Sequence, residues 1–158
     1  MPNSQDQQLT YQLLIKALED NKWKYDEDED HVIYTYFMVD DMRCSFMMHA
    51  GTNIVYICMF DIYSCSRWDA VKVGRMKRAV NEIIAQTGIN MSTRQRDDDE
   101  VYVRLDWYIP FTESITTRDM MLSVTLERMT SCAKMFMEMM EEDGGKAPTE
   151  TDGKEDQT

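Results

Sequence analysis

The sequence predicts an α+β domain: a single antiparallel sheet of five to six strands with three helices, ordered α-β-β-β-α-β-β-α. Three observations predict it. Between His31 and Ile62, three runs rich in β-branched and aromatic residues follow one another with short connections, the pattern of an antiparallel meander. Three other segments carry apolar residues at helical spacing behind capping signals. A clean two-residue alternation then marks Val101 to Ile109. At 158 residues the chain has room for one core, and too little for two comfortable ones. Residues 5–142 are expected to form the domain and 143–158 a disordered acidic tail, because that end is poor in apolar residues.

The first helix opens on Ser4 and Gln7, a capping box, and carries Leu9, Leu13, Leu14, Ala17 and Leu18 up to Asn21. Trp23-Lys24-Tyr25 and the run Asp26–Asp30 follow. Five consecutive acids suggest calcium at first sight, but a calcium loop alternates acids with a central glycine and a closing glutamate. A solvated turn between two strand-like segments fits better. His31–Val39 reads as a strand. In the next run Met42, Cys44, Phe46 and Met48 alternate with Arg43, Ser45, Met47 and His49. Asn53–Ile62 is apolar on both faces, which places it in the middle of the sheet or in an interface.

A second helix is expected from a box at Ser66 and Asp69 to Gly88, with Val73, Met76, Val80, Ile83 and Ile84 as its buried stripe. Its first half is basic, with Arg67, Lys72, Arg75, Lys77 and Arg78 against Asp69, and Arg94 and Arg96 are expected nearby. A hairpin with an acidic turn leads into the strand Val101–Ile109, whose other face is Tyr102, Arg104, Asp106 and Tyr108. Pro110 closes it. Thr116 and Asp119 then cap a third helix running to about Glu142.

Composition narrows the function. A net charge of −12 repels phosphate backbones, so nucleic acid is not the expected partner. No run is apolar enough to cross a bilayer, and the polar start MPNSQDQQ has no signal region. Cys44, Cys58, Cys65 and Cys132 form no CxxC and no metal spacing with His31 or His49, so they read as thiols of a reducing cytoplasm. Neither a nucleophile–base arrangement nor a glycine-rich phosphate loop is present, and no enzyme, metal or cofactor is expected.

The third helix carries more apolar surface than one seam requires. Leu122, Leu126, Met129, Ala133, Phe136 and Met140 form a continuous stripe, and Glu127, Thr130, Ser131, Lys134, Glu138 and Glu141 the wet side. A second strip, Met121, Cys132, Met135 and Met139, stands roughly 100° from the first. It either fills a groove or stays partly exposed, where flexible methionines repack around different partners.

The first helix with its WKY, the acidic turn and meander, the amphipathic helix bearing Asn81, the later hairpin and the long final helix together resemble the YbjN family, over about Gln8 to Glu142. That family is described as bacterial sensory-transduction regulators with a type III secretion chaperone-like fold. The resemblance implies a small acidic protein, often dimeric, that holds another chain, and it brings no catalytic residues. The resulting expectation is a non-enzymatic module in a bacterial cytoplasm that binds another polypeptide, as chaperone or regulator. Met121, Met135 and Met139, with Lys72, Arg75 and Arg78, are the candidate contact residues. A homodimer through the two-sided strand or the second helix is left open. The alternative is a regulator sensing a small ligand between the sheet and the third helix.

Overall fold

The computed structural model describes residues 4–145. Three helices and six strands follow one another: α1 (Gln5–Asp20), β1 (Tyr25–Glu27), β2 (Ile33–Val39), β3 (Met42–Ala50), β4 (Ile54–Ser66), α2 (Ala70–Thr87), β5 (Met91–Gln95), β6 (Glu100–Pro110) and α3 (Arg118–Gly145). One antiparallel sheet holds every strand, in the order β1-β2-β3-β4-β6-β5. The predicted α+β class and single sheet are therefore observed, with four strands rather than three ahead of α2. The addition is the short β1, which pairs with β2 across the acidic turn. β4, apolar on both faces, lies inside the sheet between β3 and β6.

Register explains how the layers form. Tyr25, Thr35, Phe46, Met59, Leu105 and Met91 lie opposite one another in sequence across all six strands. Most of that row is buried, and it joins Leu14 and Leu18 of α1, Met76 and Ile83 of α2, and Leu122 and Phe136 of α3 in one core. All three helices thus pack on the same face of the sheet. The α3 stripe is buried throughout, from Leu122 to Met140.

Local chemistry sets the helix ends. The Ser4 side chain accepts from the Gln7 N–H and starts α1. α2 begins three residues later than a box at Ser66 would give, because Ser66 still pairs with Glu100 at the end of β4. Asp69 is the cap instead, its carboxylate accepting from the Lys72 N–H at 3.1 Å. Gly88 ends α2 at φ +67°, a left-handed conformation that costs an L side chain dearly. Two expected core residues face water instead: Leu9 and Ile84 are exposed at the margins of their stripes. α3 continues to Gly145, past the expected boundary at 142. The rest of the predicted tail, 146–158, lies outside the described residues.

Candidate interaction surface

The residues that alternate with the core row point away from the helices. Asp26, Tyr34, Met47, Cys58 and Asp106 form the neighbouring row, one strand after another. No helix among the described residues covers this face. It is nonetheless rich in large side chains: Tyr36, Met38 and Tyr108 are 54%, 62% and 58% exposed, and Tyr34 and Phe60 meet edge to face at 6.3 Å between ring centres. The bulk of these side chains buries the small residues between them, Ser45 and Cys58. Cations complete the face. The Arg43 guanidinium lies 4.4 Å over the Tyr36 ring, and that of Arg96 lies 4.3 Å over Tyr102.

At its centre lies a polar network. Asp106 is 5% exposed, and Arg104 Nε donates to its two oxygens at 3.1 and 3.0 Å. The Tyr56 hydroxyl donates to Asp106 and accepts from Arg104. Tyr56 also tilts against Tyr108, 5.1 Å between centres. Burial, and then the Asp106 acceptor, push the Tyr56 phenol well above its ordinary range. The Asp106 hydrogen bond pushes Arg104 upward as well, so both groups stay protonated. Burial raises the neighbouring Cys58 thiol, which keeps it a neutral packing group rather than a nucleophile. The network fixes the side chains of the middle strands in place. Its members come from outward positions of β4 (Tyr56) and β6 (Arg104 and Asp106), where alternation alone does not signal that an aspartate is buried.

The expected contact residues do not converge on this face. Met121, Met135 and Met139 are half-buried and pack against the helix-covered core. Cys132 of the same strip is buried, with Sγ 3.8 Å from the Thr87 hydroxyl at the end of α2, so the strip faces α2. Lys72 and Arg78 are exposed on α2, Arg75 is half-buried, and Lys72 lies 3.9 Å from Asp69. The acidic turn is solvated, as expected. Asp28 spends its carboxylate on the backbone N–H groups of Asp30 and Val32, both at 2.9 Å, while Glu27 bonds to Tyr11 and His31. Those two hydrogen bonds hold the Glu27 carboxyl below the usual carboxylate range, Tyr11 contributing most.

Among the concavities of the described residues, two bear on the expected sites. A groove of about 530 Å³ opens between β2 and α3, walled by Trp23, Phe37, Val39, Leu126 and Thr130 with Lys134 at its mouth. A cleft of about 370 Å³ lies between the start of α2 and β5, bordered by Arg67, Trp68, Lys77 and Arg94. Of the basic residues expected there, Lys77 of α2, Arg67 ahead of it and Arg94 of β5 border this cleft, and Lys72, Arg75 and Arg78 are not among its walls. No group of three or more histidines, cysteines and acids positioned for a metal occurs among the described residues. The four cysteines are free thiols. No helix of the described residues is long and apolar enough to cross a membrane.

The layer of three helices on one face of an antiparallel sheet is an architecture shared with solved proteins. No family model matches the chain, and no curated protein matches it by sequence. YbjN from E. coli, a proposed transcription regulator, is similar in structure at a TM-score of 0.57 and 10% identity, over 85% of this chain and 91% of that one. An uncharacterized protein from Methanothermobacter thermautotrophicus is similar at a TM-score of 0.53 and 13% identity, over 85% and 99%. The resemblance to YbjN expected from the sequence is therefore present in the fold.

Proposed function

We propose that this chain is a non-enzymatic module of a bacterial cytoplasm that binds another polypeptide, as a chaperone-like or regulatory protein. One observation carries the reading: an uncovered face of a six-stranded sheet presenting Tyr34, Tyr36, Met38 and Tyr108 with Arg43 stacked on Tyr36. Tyrosine, methionine and arginine are the side chains enriched at protein interfaces, because each tolerates water yet buries a large area when covered. A sheet layer rigid underneath and exposed above needs little reordering to dock. Likeness to a proposed transcription regulator agrees with a regulatory role. The test is an affinity capture from the native host with the wild type and with Tyr36→Glu/Tyr108→Glu. A partner held by the wild type and lost with the folded variant supports the reading; an identical set of captured proteins sinks it.

A second reading rests on the groove between β2 and α3. Its volume of about 530 Å³ and its mixed walls, Trp23, Phe37 and Leu126 with Glu127, Thr130 and Lys134, suit a small amphipathic ligand. A regulator of that kind would gain thermal stability from one metabolite fraction, and Leu126→Trp would abolish the gain by filling the groove.

A further inference from the structure

We propose that the cleft between α2 and β5 receives the carboxylates of an acidic, extended segment of the partner polypeptide. The inference rests on the polypeptide-binding reading above and adds the partner's charge. Its walls include three cationic residues: Arg67 ahead of α2, Lys77 within it, and Arg94 on the edge strand β5, whose guanidinium turns round the edge toward Ser92 and Asp106 of the open face. No carboxylate lines it. Lys77 has no ion pair among the described residues, Arg67 meets Asp99 at 3.4 Å where both are exposed, and Arg94 is 4.0 Å from Asp106. The exposed Arg67–Asp99 pair is worth little and is readily exchanged for a new anion, and Arg94 stays half exposed although its partner Asp106 is buried.

The setting makes the cleft selective. The chain as a whole carries −12. Asp97–Asp99 form the hairpin turn next to the cleft, where Asp99 meets Arg67, whereas the longer acidic run, Asp26–Asp30, sits on β1 and β2, at the far side of the sheet order from β5. A basic partner would be drawn to that run, an acidic one to this cleft, so charge sets both the choice and the orientation. Arg94 points to the same side of the sheet as the tyrosines, since it lies opposite Tyr102. A segment crossing the open face would therefore reach the cleft at the β5 margin. Trp68, 71% exposed with the Arg67 guanidinium 4.3 Å over its ring, supplies an apolar wall beside the cations.

The arrangement favours carboxylates along a chain over a compact phosphate. Phosphate sites are commonly built from free backbone N–H groups at a helix start or a glycine-rich loop. Here the Asp69 carboxylate already occupies the start of α2 by accepting from Lys72. What is left is cationic heads on long stems at several points, over a floor of Val73 and Val101. That suits separated side-chain anions on an extended segment.

The experiment uses the full chain and a fluorescein-labelled peptide of Glu, Leu and Ser, with its Gln-for-Glu counterpart as control, read by anisotropy at low salt. The Glu peptide is expected to bind and the Gln peptide not to. Lys77→Glu/Arg94→Glu, at exposed positions, should weaken binding by about tenfold, and the milder Lys77→Gln/Arg94→Gln should do so by less. Added salt should weaken the wild type, because the charges are screened beyond about 10 Å at 0.1 M. Equal binding of both peptides, or equal binding by the reversed variant with an unchanged melting curve, overturns the inference. So does failure of the Glu peptide to bind. Preferential binding of tripolyphosphate or a single-stranded oligonucleotide overturns it in favour of phosphate. Self-association that the reversal abolishes overturns it in favour of a second copy. Binding lost with Tyr36→Glu/Tyr108→Glu but kept by the cleft variants sinks the cleft while sparing the module reading; the converse spares the cleft and sinks the open face.

Discussion

The two faces of the sheet share every strand and differ in what lies over them. On the covered face Phe46, Ile57, Met59 and Leu105 are almost wholly removed from water. One residue along the same strands, the open face carries Tyr36, Met38 and Tyr108, each more than half exposed. Both carry large apolar side chains, but the open face mixes them with Arg43, Ser45, Arg104 and Asp106. The difference is in kind. The covered face uses aliphatic side chains, Met and Phe, which have nothing to offer water. The open face uses Tyr, Met and Arg, which bury area when a partner arrives and remain soluble when none does.

The largest test of that contrast lies on the covered side. Phe46→Ala should cost about 3–5 kcal/mol, since it removes a fully buried ring from the middle of the helix-covered core. A urea midpoint shift at constant slope would measure it. A cost under about 1 kcal/mol would mean the two faces are equally accommodating, contrary to the packing.

The next effect comes from the one part of the open face that is built like an interior. Asp106→Ala should cost about 2–3 kcal/mol by stranding Arg104 and Tyr56 without their shared acceptor. The network also gives an alkaline signature. The Tyr56 phenol is raised in the folded state, so its contribution is complete below the ordinary tyrosine range near pH 10 and is lost as pH rises above it. Tyr56→Phe should flatten that part of the stability profile, measured by urea unfolding over an alkaline pH series. A profile unchanged by the substitution would detach Tyr56 from the network.

Sequence reasoning reached the covered face more fully than the open one. The whole α3 stripe from Leu122 to Met140, and the inner position of β4, were legible because periodicity reports which residues share a buried side. The open face depends on strand order and on where helices stop, and neither has a local signature. Tyr34 and Tyr36 become neighbours of Phe60 and Arg43 once β2, β3 and β4 are aligned. β4 runs past the expected end at Ile62 for a similar reason: a register shift between Met59 and Tyr63, with Asp61 at φ +55°, lets it resume pairing as far as Ser66. That continuation takes Ser66 out of the helix and leaves the capping to Asp69. Alternation puts Asp106 on the wet or partner-facing side of β6, whereas its burial comes from the residues across the strands.

The methionine strip tests the border between covered and open. Met135→Glu/Met139→Glu should cost about 1–2 kcal/mol together, because both are half-buried against the core on the side of α3 that faces α2, yet a glutamate can lift its head into water. Thermal unfolding checks this. A loss of several kcal/mol would assign the strip to the core outright, and no loss at all would return it to the surface, where it would again rank as a contact site.

The smallest effect is expected where the contrast matters most. Tyr36→Ala and Tyr108→Ala should each leave stability within about 0.5 kcal/mol, since water already reaches more than half of each ring. What they lose at home is slight: an exposed stacking with Arg43 for Tyr36, and a tilted contact with Tyr56 for Tyr108. Truncation of an interface anchor, by contrast, costs binding heavily without touching the free protein. The two measurements together decide what the open face is. Unchanged urea midpoints with lost partner binding fit a surface held in reserve for docking. Midpoints that fall as far as that of Phe46→Ala would show that the tyrosines support the sheet itself, and the two faces would then differ in exposure but not in purpose.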